Sequence, residues 1–200
     1  FEKDGATNEI FVGGTNITFF VGDRGGAGPG DDLGVEVTGA EIAALLKPDG
    51  TYALAASGAA TVLNVPDLVF TGDLSAEINT TGMAVNETRV TDIGGVAETL
   101  TVDVAAGVTR FGGNDIQLSI AGAITLTGDF VIEKSTAGPD GIVGTADDVN
   151  ELLLAATDID LFVGADDESF GVRVEDAELI ALVRDDGYAV QAGGNAELVG

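Results

Sequence analysis

The residues with the strongest chemical character in this chain are carboxylates set among glycines. The segment Gly138-Pro139-Asp140-Gly141-Ile142-Val143-Gly144-Thr145-Ala146-Asp147-Asp148 is the sharpest of them. Calcium takes six to eight oxygen ligands, and a tight glycine-permitted loop can gather them from side chains and backbone carbonyls. Asp140, Asp147 and Asp148 are therefore candidate calcium ligands. The spacing is not that of an EF-hand, which alternates its acidic positions and closes on a glutamate. A second acidic, glycine-rich segment spans residues 22–34 and offers Asp23, Asp31 and Asp32, with Asp166, Asp167 and Glu168 as its later counterpart. The competing reading is an acidic solvated turn for the first and an ordinary disordered acidic loop for the second.

Other chemistries are removed by composition. There is no Cys and no His, which excludes disulfides, thiol catalysis, the Ser-His-Asp triad and nearly all zinc or copper sites. Carboxylate pairs could in principle serve a glycosidase. With 34 acidic residues, chance pairs are everywhere, and with no Trp and only 2 Tyr no aromatic platform awaits a sugar. No enzymatic role is expected. Residues 22–34 are not a phosphate loop, since they lack the Gly-Lys-Ser/Thr ending. A formal charge of −26 argues against nucleic acid and anionic membrane surfaces as partners. No run of 18 apolar residues is present, so no helical membrane insertion is expected. Three glycosylation sequons begin at Asn16, Asn79 and Asn86, a density that a Thr-rich chain reaches by chance.

The elements that must position these loops are read from repetition. NEIFVGGTNITFFVG at 8–22 aligns with NELLLAATDIDLFVG at 150–164, and GVEVTGAEIAALLKPDG at 34–50 aligns with GVRVEDAELIALVRDDG at 171–187. The copies differ in length only in polar, Gly-rich stretches, as loops between strands of fixed length do. Residues 1–134 are thus expected to hold one complete unit, circularly cut, with 135–149 a calcium-type loop and 150–200 the first part of the next unit. The chain is expected to begin and end inside a repeat. A weaker echo relates LVFTGDLSAEINTTG at 68–82 to ITLTGDFVIEKSTAG at 124–138.

Hydrophobic alternation fixes the class. Leu68, Phe70, Leu74, Ala76 and Ile78 alternate with polar residues at period two, the mark of a half-buried strand. In four other segments two apolar positions are followed, five residues on, by three more: Ile10 and Val12, then Ile17, Phe19 and Val21, for example. Five is odd, so the apolar face would flip unless a β-bulge or a tight corner intervenes. Lys47-Pro48-Asp49-Gly50 and Asp185-Asp186-Gly187 lie between such runs and signal hairpins. The expected fold is all-β: an elongated repeat of long, kinked, mainly antiparallel strands in two facing layers. A parallel β-solenoid is the alternative.

The aligned segments and the stretch from Thr51 to Thr88 resemble the repeats of giant bacterial secreted or cell-surface adhesin-like proteins. These are RTX-neighbouring proteins, including those with the LEPR-XLL type of N-terminal signal. The loop at 138–148 resembles their GPDGxxGTxDD calcium-associated segments, while the RTX nonapeptide itself is missing. The resemblance implies an extracellular or cell-surface region serving as stalk, spacer or self-associating filament, stabilised by calcium. Its partners would be neighbouring repeats meeting through edge strands. A calcium-dependent adhesin module gripping a glycan or surface is the alternative.

Overall fold

A computed structural model describes all 200 residues except 27, 28, 137, 139 and 166, and of Pro29 and Ile93 only the backbone. The described residues form twelve strands: β1 (Glu2–Lys3), β2 (Ile10–Asp23), β3 (Leu33–Leu46), β4 (Tyr52–Leu63), β5 (Leu68–Asn79), β6 (Val85–Ile93), β7 (Val96–Val104), β8 (Thr109–Ile120), β9 (Ile124–Thr136), β10 (Asn150–Gly164), β11 (Gly171–Arg184) and β12 (Gly187–Val199). Among the described residues the only helical turn is a short 3-10 segment, Pro29–Asp31. Ten strands form one sheet in the order β1-β2-β3-β4-β5-β8-β9-β10-β11-β12, and β6-β7 form a separate pair. Every pairing is antiparallel, so the solenoid alternative does not occur. The sheet is an open meander, not a closed barrel.

The odd spacing in the sequence is resolved by bulges. Register shifts occur between Gly14 and Ile17 in β2, Thr38 and Glu41 in β3, Gly113 and Ile116 in β8, Thr157 and Asp160 in β10, and Glu175 and Glu178 in β11. Each extra residue returns the apolar set to the same face. The residues that make this turn stand in the left-handed region: Asn16, Gly39, Asp115, Asp158 and Asp176, with φ between 50° and 59°. Asn, Asp and Gly are the types that tolerate it best. Two bulge amides are met by carboxylates of a neighbouring strand, Asp115 N–H donating to Asp129 Oδ1 (2.8 Å) and Asp176 N–H to Asp160 Oδ1 (3.1 Å).

The unbulged strands answer with glycine on the apolar face. Gly58, Gly72, Gly128 and Gly194 sit beside Ala40, Ile116, Ile159 and Ala177, the first apolar residue past a neighbouring bulge. A Cβ at Gly72 or Gly128 would run into the Cδ1 of Ile116 or Ile159, so the close approach requires glycine there. The bulges and these glycines align into a crease across the sheet.

The β6–β7 pair leaves the meander after β5 and lies over the face opposite the crease groove. Val85, Leu100, Val102 and Val104 meet Phe11, Ala43, Leu45 and Ala53, and these with Val108 form the buried core. Where β6 is reached, Asn79 is buried and fully used: Nδ2 donates to Met83 O and Val104 O, and Oδ1 accepts from Thr81. The second of the three sequons is therefore a structural asparagine.

Candidate assembly surface

The register lets the two faces of the large sheet be read residue by residue. One face carries Ile10, Val12, Ile17, Phe19 and Val21 on β2, then Val35, Val37, Ile42 and Leu46 on β3. It continues through Leu54 and Ile78, Phe111 and Ile132, to Leu154 and Ala181. From β2 to β12 the polar side chains that the register places on it are Asp23, Thr109, Lys134, Thr136 and Asn150, with the hydroxyls of Tyr52 and Tyr188, all at or near strand ends. No described residue covers this face. Phe19 and Phe111 are each 48% exposed and Ile132 41%. Along the crease lies a groove of about 490 Å³, lined by Ile17, Phe19, Val37, Leu74, Phe111 and Phe130 among others.

Most of the charges on the strands are on the other face. Glu77, Arg110 and Glu133 stand side by side on β5, β8 and β9. Arg110 bridges both carboxylates, with Nη2 2.6 Å from Glu133 Oε2. Burial alone would lower its pKa, but the bond to Glu133 and the charges of Glu77 and Glu133 raise it. Arg184 bonds Glu151 at 2.6 Å from β11 to β10, and Arg173 bonds Glu168 at 2.6 Å. Phe20 and Phe162, on this face, each pack their ring over a pair of glycines at equivalent hairpin ends: Gly22 with Gly34, and Gly164 with Gly171. An arginine stands over each ring, Arg24 at 4.5 Å and Arg173 at 5.8 Å, a cation–π arrangement.

The sequence-predicted ligands fall in the loops or, for Asp23, at a strand end. Asp148 turns inward: Oδ1 accepts from Gly138 N–H (3.2 Å) and Oδ2 from Gly144 N–H (2.6 Å). Asp147 Oδ1 accepts from Thr145 Oγ1 (2.8 Å), and Asp140 Oδ1 from Ile142 N–H (2.9 Å) in a local turn. The loop is tied to the body through Val143 N–H donating to Gly82 O. Thus Asp147 and Asp148 are brought together by the Thr145 hydroxyl, which lies within hydrogen-bond distance of both, while Asp140 serves its own turn. Asp23 ends β2 and Asp31 lies in the 3-10 turn. Asp32 is buried and neutralised by Arg24 (3.0 Å), and its carbonyl accepts from Asn64 Nδ2. Of the later counterpart, Asp166 lies outside the described residues. Asp167 accepts from Ser169 Oγ and N–H, which hold its carboxyl below the ordinary value, and Glu168 is taken by Arg173. Among the described residues no group of three or more acidic side chains converges to hold a metal ion. No helix there is long and apolar enough to cross a membrane.

The sequence reading found the alternating strands but not what the two faces do. It missed the β6–β7 cover and the carboxylates Asp129 and Asp160 that hold bulge amides. Asp160 did carry a signal, a carboxylate between Ile159 and Leu161 two residues past the left-handed Asp158. No family model, curated protein or solved structure matches the chain.

Proposed function

We propose that this chain is a structural repeat of a large extracellular or cell-surface protein, and that it builds a stalk or filament by association with its own kind. One observation carries the reading: a long antiparallel sheet has an apolar face open to water, charged only at the strand ends by Asp23 and Lys134, while its other charges on the strands lie on the opposite face. Strands about 4.8 Å apart and about 3.3 Å per residue give this face roughly 1,500 Å², beyond the roughly 800 Å² per partner of a standard interface. Soluble monomers rarely leave apolar patches of that size open. Laying the face against that of a second copy, at the usual ~10 Å sheet spacing, buries its apolar body while Asp23, the carboxylate at the end of β2, stays at the rim.

Sedimentation velocity and small-angle scattering test the proposal. Concentration-dependent association into elongated particles is expected, and the double variant Phe111→Glu, Phe130→Glu should abolish it by placing charge in the groove. A compact monomer at all concentrations would sink the reading, and a monomer that floats with lipid vesicles would replace it by a lipid-facing sheet. Calcium enters as a separable part of the proposal. Asp140, Asp147 and Asp148 are the residues it would recruit between β9 and β10, and a rise in Tm on adding calcium, absent in Asp147→Asn, Asp148→Asn, is the expected sign.

A further inference from the structure

The strands β10, β11 and β12 repeat β2, β3 and β4 in order, bulge position and the packing of Phe162 over its glycine pair. The charged face of the first set is not charged throughout. Its β2–β3–β4 part presents an apolar seat, Phe11, Gly13, Ala43, Leu45, Ala53 and Ala55, and the β6–β7 hairpin fills it. Carried along the register, the second set presents Leu153, Ala155, Ile180, Leu182, Ala189 and Gln191 at the same positions. Phe11, Ala43, Leu45 and Ala53 are buried under their cover, whereas Ile180 is 46% exposed. The second seat is apolar like the first except for Gln191 where the first has Ala55, and it has nothing on it among the described residues.

We infer that the outer face of β10–β11–β12 is a docking seat for a second hairpin of the β6–β7 kind, supplied by the following copy of the unit. The inference rests on the repeat reading above. The occupant's chemistry is read from the hairpin already seen: two antiparallel strands presenting Val85, Leu100, Val102 and Val104 on one face, with the ion pair Glu87–Arg89 beside them and Arg89 over the Phe11 ring. The second seat also sets a size requirement. Leu100 lies so close over Gly13 that a Cβ there would strike its Cδ1. Gly13 pairs with Ala43, and their counterparts, Ala155 paired with Ile180, are both larger. The second hairpin therefore carries a smaller residue where the first has Leu100.

The test is a lengthened chain in which residues 65–134 are appended after Gly200, with Leu100→Ala in the appended copy only. Gly200 stands one residue past β12 as Asn64 stands one past β4, so the join continues the register. Hydrogen exchange on residues 187–199 reports whether the sheet continues, and exchange on the appended hairpin reports whether it is seated. Both are expected to slow by about ten-fold or more as the amides become protected. Ile180→Lys is expected to leave the Tm of the 200-residue chain nearly unchanged, to lower that of the lengthened chain by several degrees, and to return the hairpin to fast exchange. Restoring Leu100 in the appended copy should weaken the seating. If β12 gains no protection, the repeat reading itself fails. If β12 is protected but the hairpin exchanges freely, or if Ile180→Lys acts equally on both chains, the seat alone is overturned.

Discussion

At the residue scale the fold depends on small groups that leave room or supply a hydrogen bond. Ile116 is buried at the crease with its Cδ1 over Gly72. Gly72→Ala is therefore expected to cost about 1–3 kcal/mol through overpacking. Ile116→Val alone removes a methyl from a filled site and should cost about 0.5–1.5 kcal/mol. Together they should cost less than their sum, because the methyl that clashes is the one removed, and a double-mutant cycle by urea denaturation measures the coupling. Additive costs would mean that the glycine is not there for space. A gentler case is Asp167, whose carboxyl is held low first by the Ser169 hydroxyl and then by its N–H. A carboxyl with a depressed folded-state pKa lends stability above its unfolded pKa and loses it as pH falls through the folded value. Ser169→Ala should move the Asp167 titration up toward the ordinary range, read by NMR of the carboxyl carbon.

At the element scale, long antiparallel strands were legible because alternation is local: Leu68 to Ile78 declares its face with no knowledge of neighbours. The bulges were legible as an interruption of odd length, and left undecided only because a bulge and a corner leave the same trace in one dimension. The hairpins at 47–50 and 185–186 follow from turn chemistry, with Asp49 accepting from Thr51 N–H (2.9 Å) and Gly50 at φ 87°. What the sequence did not carry was the departure of β6 and β7. Their alternation is that of any strand, and whether a hairpin pairs edge to edge or lies across a face is decided by Phe11, Leu45 and Ala53, distant in sequence. The cover has a measurable weight. Leu100→Ala should destabilise the fold by about 2–5 kcal/mol, and fluorescence of a hydrophobic dye should rise as Phe11 and Leu45 are uncovered. A Leu100→Ala protein as stable as the parent would mean that the hairpin only rests on the sheet.

At the scale of the whole molecule, charge is segregated: −26 in total, with an apolar sheet face that almost excludes it. This arrangement fixes the sign of a salt effect. When two copies meet through the apolar faces, their acidic faces point outward on opposite sides, separated by the ~10 Å between sheets plus the length of the side chains. That distance is well inside the Debye length of about 30 Å at 0.01 M salt and beyond the about 8 Å at 0.15 M. Repulsion between the copies is therefore strong in dilute buffer and mostly screened at physiological ionic strength. Association should tighten as salt rises from 0.01 to 0.15 M. It should also tighten as pH falls from 7 toward the ordinary carboxylate range near 4. An interface held by ion pairs across the contact would weaken over the same salt range. Sedimentation equilibrium across the two series separates the cases, and weakening with salt would show that the copies meet through charged groups and leave the apolar face unused.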